Sequence, residues 1–237
     1  MILMVQFATR NRQEQFLKCL QLYVDTLSGK NDVFFNISCD EDDSSMNCED
    51  TMRRIHEIYP QCFINFNNNS TKVEAINANV SERQFDVVIN ASDDMNPQIH
   101  GWDEEIRIGF EKHFPDYDGV LHFNDGVVGE LLNTLCILGR PYYDRFGYIY
   151  CPQYKSLCCD DEFTAISNML NKSIYINKII IRHDHLALVS GATKDATCRR
   201  SDRHEKYDKL VWRHRIKQKI FYPRWIYHYD FKGLWND

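Results

Sequence analysis

Three apolar segments, each running into a polar loop, constrain this 237-residue chain more than any other feature. They are Ile2 to Phe7, Val33 to Ile37 and Val87 to Ile89. Each is short and rich in β-branched or aromatic residues, as buried strands are. The loops that follow are Thr9-Arg10-Asn11-Arg12, Asp40-Glu41-Asp42-Asp43 and Ser92-Asp93-Asp94. Between them, Phe16, Leu17, Leu20, Tyr23, Val24 and Leu27 recur at helical spacing before Gly29. Met52, Ile55, Ile58 and Tyr59 do the same before Pro60. Strand, loop and helix repeated in this way predict an α/β fold with a largely parallel sheet. Parallel strands would put all three loops on one edge, where open α/β sheets bind ligands. A carboxylate pair such as Asp93-Asp94 on that edge suits a divalent metal that holds a diphosphate. Taken alone it reads equally as a solvated acidic turn.

The pattern continues along the chain. Cys62-Phe63-Ile64 is a short strand, and Thr71 to Asn77 opens a helix after an Asn-rich loop. Trp102, Ile106, Ile108 and Phe110 suggest a helix that closes near Pro115, and Val120 to Phe123 is a further strand. Leu135 to Leu138 is apolar, and Tyr142 to Pro152 reads as an aromatic-rich irregular stretch. A helix runs from Cys158 through Leu170, with Asp160, Asp161 and Glu162 placed to complement its dipole. Ile174 to Ile181 reads as one strand with alternating Ile, followed by His183-Asp184-His185.

Composition excludes several classes. No run of 18 apolar residues occurs, and Met1 to Ala8 is too short for a signal peptide's apolar core, so a first strand is expected there. Nine cysteines without Cys-x-x-Cys spacing fit reduced thiols and a cytoplasmic location better than a disulfide framework or a structural zinc site. The net charge of −6 hides an asymmetry, because residues 199 to 224 carry ten Lys/Arg against three acids. That basic, aromatic C-terminal extension, residues 199–237, is expected to pack on the domain as a solvated helix face, or to serve a partner or a homo-oligomer contact.

The ordered set of Thr9-Arg10-Asn11-Arg12, Asp40, Thr71 to Asn77, Asp93-Asp94-Met95, Asp160-Asp161-Glu162-Phe163 and His183-Asp184-His185 resembles a GT-A fold glycosyltransferase of family 2 type. The resemblance covers roughly residues 1 to 200. It implies a single Rossmann-like domain over residues 1–198, with a nucleotide-binding half (1–95) and an acceptor half (96–198). It also implies a metal-dependent, inverting transfer from a nucleotide-diphosphate sugar, with a UDP-sugar favoured, to a hydroxyl of a glycan or other acceptor.

By that resemblance Thr9, Arg10 and Arg12 line the nucleotide pocket, and Asp40 accepts a hydrogen bond from the base. Lys72 reaches the diphosphate or the base, although an exposed helix lysine reads the same way. Asp93 faces the ribose or sugar. Asp94, with His185 or His183, holds Mn2+ or Mg2+, and Ser92 stands where the family has an acid. Asp160 is the expected base, with Asp161 as the alternative. Trp102, Asp103, Asn124 and Asp125 are expected on the acceptor side, because an aromatic beside hydrogen-bonding groups suits a sugar; Trp102 suits the core equally. Two other functions remain open at this point. One is a metal-dependent nucleotidyltransferase or phosphohydrolase. The other is a noncatalytic binding protein that uses the basic extension, although no nucleic-acid partner is expected.

Overall fold

Alternation along the first strand organises the molecule. In β1 (Ile2–Ala8), Leu3, Val5 and Phe7 project to one side and Met4 to the other, and all are fully buried. Successive side chains on a strand point to opposite faces, so β1 must be covered on both. The computed structural model describes residues 1–184, 199–200 and 202–218, and shows that cover. Leu3, Val5 and Phe7 join Phe16, Leu20 and Tyr23 of α1 (Gln13–Asp25), Ile55 of α2 (Glu49–Ile58) and Trp102, Ile106 and Phe110 of α4 (Trp102–His113). Met4 joins Val73 and Ile76 of α3 (Lys72–Asn77), Tyr142 of α5 (Arg140–Asp144) and Phe163 of α6 (Cys159–Met169). Each such aromatic or aliphatic side chain contributes about 2 kcal/mol on burial.

The main sheet has seven strands in the order β3-β2-β1-β4-β7-β6-β8. These are β2 (Asp32–Asp40), β3 (Cys62–Asn67), β4 (Val87–Ala91), β6 (Val120–Phe123), β7 (Ile137–Gly139) and β8 (Ser173–Ile176). β1, β2, β3 and β4 are mutually parallel, as are β6 and β8. Only β7 is reversed, lying antiparallel to both β4 and β6. The expectation of a mostly parallel sheet flanked by helices holds. β5 (Met95–Pro97) and β9 (Ile181–His183) form a separate antiparallel pair. After Glu205, α7 (Glu205–Gln218) belongs to the basic extension and packs against α6.

Two expectations are corrected. Ile174 to Ile181 is not one strand, because β8 ends at Ile176 and β9 starts at Ile181 in the other sheet. The Tyr142 to Pro152 stretch is not wholly irregular, since Tyr142 and Tyr143 sit buried on α5, whose start is favoured by Pro141 in its first turn. Among the described residues no helix is long and apolar enough to cross a membrane.

Candidate active site

The carboxyl ends of β1, β2 and β4 lie side by side, with Phe7 paired to Ile37 and Ala91 and Ala8 paired to Ser38. The three polar loops therefore converge, and ion pairs tie them together. Arg10 Nη1 donates to Asp40 Oδ2 at 2.5 Å, and the same guanidinium pairs with Asp42. Arg12 Nη1 meets Asp93 Oδ1 at 2.9 Å. Gln15 Nε2, in the first turn of α1, donates to the Asp93 carbonyl at 3.1 Å. Asn11, in the left-handed region at φ 54°, donates its N–H to Asp43 Oδ2 at 2.7 Å. Asp43 also accepts from Ser45 N and Ser45 Oγ, at 3.1 and 2.6 Å. Asp43 is thus the clamp between the first and second loops.

Asp40 is buried, and its second oxygen accepts from Asn69 Nδ2 at 3.0 Å. Arg200 Nη1, from the basic extension, lies 3.7 Å from Asp40 Oδ2. Thr9 is buried with its N–H donated to Ser38 O, and its hydroxyl has no hydrogen-bond partner among the described residues. Lys72 is exposed at the first position of α3. A capping box holds that helix start, with the Thr71 hydroxyl accepting from Glu74 N and Glu74 Oε2 accepting from Thr71 N at 3.2 Å.

The second sheet completes the site. Its register pairs Met95 with His183, which brings the end of β9 beside Asp94. His183 Nε2 lies 3.6 Å from Asp94 Oδ1, and the Asp184 N–H donates to the Asp94 carbonyl at 2.8 Å. The Ser92 hydroxyl donates to the same Asp94 oxygen. Burial alone would push the Asp94 carboxyl up, but His183, Ser92 and the Lys72 charge together hold it below the usual carboxylate range. One anionic carboxylate facing one imidazole nitrogen suits a divalent cation. Among the described residues no group of three or more His, Cys, Asp and Glu is placed to hold a metal unaided. The donor set therefore fits a metal that takes its other ligands from phosphate and water. His185, expected as a ligand, lies outside the described residues.

Asp160 and Asp161 open α6. Asp160 is half-buried and Asp161 exposed. The Thr164 hydroxyl donates to the Asp160 carbonyl at 2.8 Å, and Asp160 Oδ1 accepts from Asp161 N at 3.1 Å. Partial desolvation and the Asp160 charge raise the Asp161 carboxyl above its ordinary range. The Lys72 charge is felt both at Asp94 and at Cys159, the residue before Asp160.

The residues expected on the acceptor side are each held by contacts within the protein. Trp102 is 0% exposed, stacks edge-on with Tyr23 at 5.2 Å and donates Nε1–H to the Tyr23 carbonyl at 3.2 Å. Asp103 is equally buried and accepts from Ser28 N, Ser28 Oγ and Asn31 Nδ2. Asp125 accepts from the N–H groups of Val127, Val128 and Gly129 and from the Thr134 hydroxyl, so it folds its own loop. The Asn124 side chain is occupied by Gly126 N at 2.8 Å and Asn177 Oδ1 at 2.9 Å. Trp102 and Asp103 are thus core residues, whereas Asn124 and Asp125 shape a loop beside the site, where the Asp125 carbonyl accepts from His183 N at 3.0 Å. Sequence reasoning missed Gln15, Asn69, Asp43 and Arg200. Only Asp43 carried a signal, an Asp two residues before Ser, which favours a local turn.

No family model matches the sequence, and no curated protein matches it. Solved structures do. The mannosyltransferase PcManGT from Pyrobaculum calidifontis, in complex with GDP-Man and Mn2+, superposes with a TM-score of 0.64 at 11% identity, over 80% of this chain and 58% of that one. S. aureus TarS 1-349 in complex with UDP gives 0.58 at 12% identity, over 77% and 60%. Glucosyl-3-phosphoglycerate synthase from Mycobacterium tuberculosis, with Mn2+, UDP and phosphoglyceric acid, gives 0.53 at 11% identity, over 78% and 71%. The chain thus spans less than two thirds of the first two. With its sheet order, its reversed strand and its loops gathered on one edge, the chain is built on the GT-A fold.

Proposed function

We propose that this chain is a metal-dependent glycosyltransferase that moves a sugar from a nucleotide-diphosphate donor to a hydroxyl acceptor, with inversion at the anomeric carbon. The observation that carries the reading is Asp94 held against His183 on the edge where Arg10, Arg12, Asp40 and Asp93 converge. The presence of Mn2+ with a nucleotide or nucleotide sugar in structures of the same fold supports it.

Asp94 and His183 would hold Mn2+ or Mg2+, with His185 the further candidate ligand; imidazole favours Mn2+. A divalent cation there supplies the positive charge that stabilises the leaving diphosphate. Asp40 offers the base an ionised acceptor, the stronger kind. Arg12 and Gln15 fix Asp93 toward the ribose or sugar, Thr9 stands at the base of the same loop, and Lys72 faces the phosphates. Asp160 takes the proton from the attacking hydroxyl. Asp161 is the alternative base, since its raised carboxyl lies closer to the range where a general base works well. A UDP-sugar is the favoured donor.

The test is a thermal shift with UDP and with GDP, with and without Mn2+, on the wild-type chain and on Asp94→Asn, since a ligand of the folded state raises Tm. We expect a Mn2+-dependent rise that Asp94→Asn loses. No rise with either nucleotide, or an Asp94→Asn response equal to wild type, sinks the reading. Asp160→Asn and Asp161→Asn then separate the base by turnover, with nucleotide binding kept in both.

A further inference from the structure

The basic extension contributes buried acid and base where its composition suggests a solvated helix. Asp208 of α7 is fully buried. Its carboxylate accepts from three consecutive backbone N–H groups, Lys155 at 2.8 Å, Ser156 at 3.0 Å and Leu157 at 2.8 Å. Arg215, two turns further along the same face, is buried as well. It grips Glu162 in the first turn of α6 through Nε and Nη2, at 2.6 and 2.7 Å. Its Nη1 also reaches Gln153 Oε1 at 3.2 Å, and the Tyr154 hydroxyl donates to Glu162 Oε2 at 2.7 Å. One helix therefore holds both the loop before α6 and the opening of α6 itself.

The held loop leads directly into the acid pair. Its Lys155 carbonyl accepts from Val73 N at 3.1 Å, so its near end is pinned to α3. Its far end passes through Cys158, a residue with a Cβ in the left-handed region at φ 59°, before Cys159, Asp160 and Asp161. A side-chain-bearing residue keeps that conformation only when its surroundings impose it. The carboxylate on the three preceding N–H groups is such an imposition, because charge-assisted hydrogen bonds are the stronger ones.

We propose that α7 is a positioning element of the active site, and that Asp208, acting through residues 155–157, sets where Asp160 and Asp161 stand. This rests on the transferase reading of that acid pair. Neither Asp208 nor Arg215 touches the reacting atoms; each acts through the backbone or side chain that it holds. A misplacement of about 1 Å at reacting groups costs about a hundredfold in rate.

The experiment uses Asp208→Asn in the full chain, which keeps shape and one acceptor oxygen but removes the charge. Lys209→Ala, at an exposed position on the same helix, is the control. Amide exchange on Lys155, Ser156, Leu157, Asp161 and Glu162 reads the grip without any turnover, and Asp208→Asn is expected to accelerate it there while the sheet amides stay slow. Turnover of the donor is expected to fall about ten- to a hundredfold in kcat, with the KM for donor and the UDP-Mn2+ thermal shift unchanged. Unchanged exchange overturns the proposal even if the chain proves not to bind nucleotides. A wild-type kcat, or equal losses in kcat and nucleotide affinity, overturns it in a chain that does bind them. Should Asp208→Asn not fold, Arg215→Lys, which keeps the charge and loses the paired contact, is expected to give the same kcat-only loss. Its absence overturns the proposal too.

Discussion

Arg12 and Asp93 meet at 2.9 Å across the ends of two adjacent parallel strands, with both side chains largely withdrawn from water. A pair in that setting is costly to break from one side, because the remaining charge keeps little hydration and loses its partner. Arg12→Met is expected to lower unfolding free energy by about 3 kcal/mol. Adding Asp93→Leu is expected to restore part of that loss, so the double variant is more stable than the sum of the singles predicts. Urea denaturation of the four proteins measures the coupling, and strict additivity would contradict it.

Asp125 organises its own loop. Asp125→Ala leaves the N–H groups of Val127, Val128 and Gly129 and the Thr134 hydroxyl without their acceptor. Hydrogen bonds to a charged group are each worth about 1.5–3 kcal/mol, although loop relaxation recovers some of that here. A loss of about 3 kcal/mol in unfolding free energy is expected, with UDP-Mn2+ binding by the remaining folded protein unchanged. Unchanged stability would show that the loop does not depend on this carboxylate.

His122 gives the fold an acid-sensitive group. Burial lowers its pKa, and its Nε2 lies 3.0 Å from the Gly129 carbonyl, a geometry in which the neutral ring donates. The unfolded chain protonates this imidazole below about pH 6.5, whereas the folded chain resists. Stability from this group is therefore complete above about pH 6.5 and declines as pH falls toward the depressed folded value. His122→Gln is expected to flatten the stability profile between about pH 6.5 and 5. Chemical denaturation across that range tests it, and an unchanged slope removes His122 as the cause.

Gly139 ends the reversed strand where no side chain fits. A Cβ there would lie 1.8 Å from the Tyr117 carbonyl oxygen and 2.7 Å from its carbonyl carbon. Both obstacles are backbone, so a rotamer change gives no relief. Gly139→Ala is expected to cost about 3 kcal/mol or more, visible as a lowered urea midpoint. A midpoint within error of wild type would show that Tyr117 moves freely.

Much of the frame was legible in the chain. Long apolar runs such as Ile2 to Phe7 have one sensible fate, and their polar exits marked the site edge before any coordinates. Strands of three residues carry no usable period, which is why β5 and β7 were not read and Ile174 to Ile181 was read as a single strand. Placing His183 beside Asp94 depends on β5 pairing with β9, a contact between distant segments that no local pattern encodes. Trp102 and Asp103 misled because an aromatic next to an acid describes a sugar platform and a helix start packed into a core equally well. The basic extension is expected to pack on the domain, but as a solvated helix face. Its buried contacts are Asp208 and Arg215, and a face that buries charge looks like one that solvates it.

The reversal of β7 has a consequence for how this chain is made. Residues 87–91 are wholly buried in the finished sheet, and their neighbour on one side is a strand that ends at residue 139. In chain order β6 precedes β7, so a chain made from its N-terminus holds the apolar edge of Val87, Val88 and Ile89 before their β7 partner exists. A direct pairing of β6 with that edge would be a trap, and open edges of this kind are also where chains associate. Three residues, Ile137, Leu138 and Gly139, decide between the trap and the fold by entering from the opposite direction. A strand of only three residues thus closes the sheet between two longer strands that run the same way.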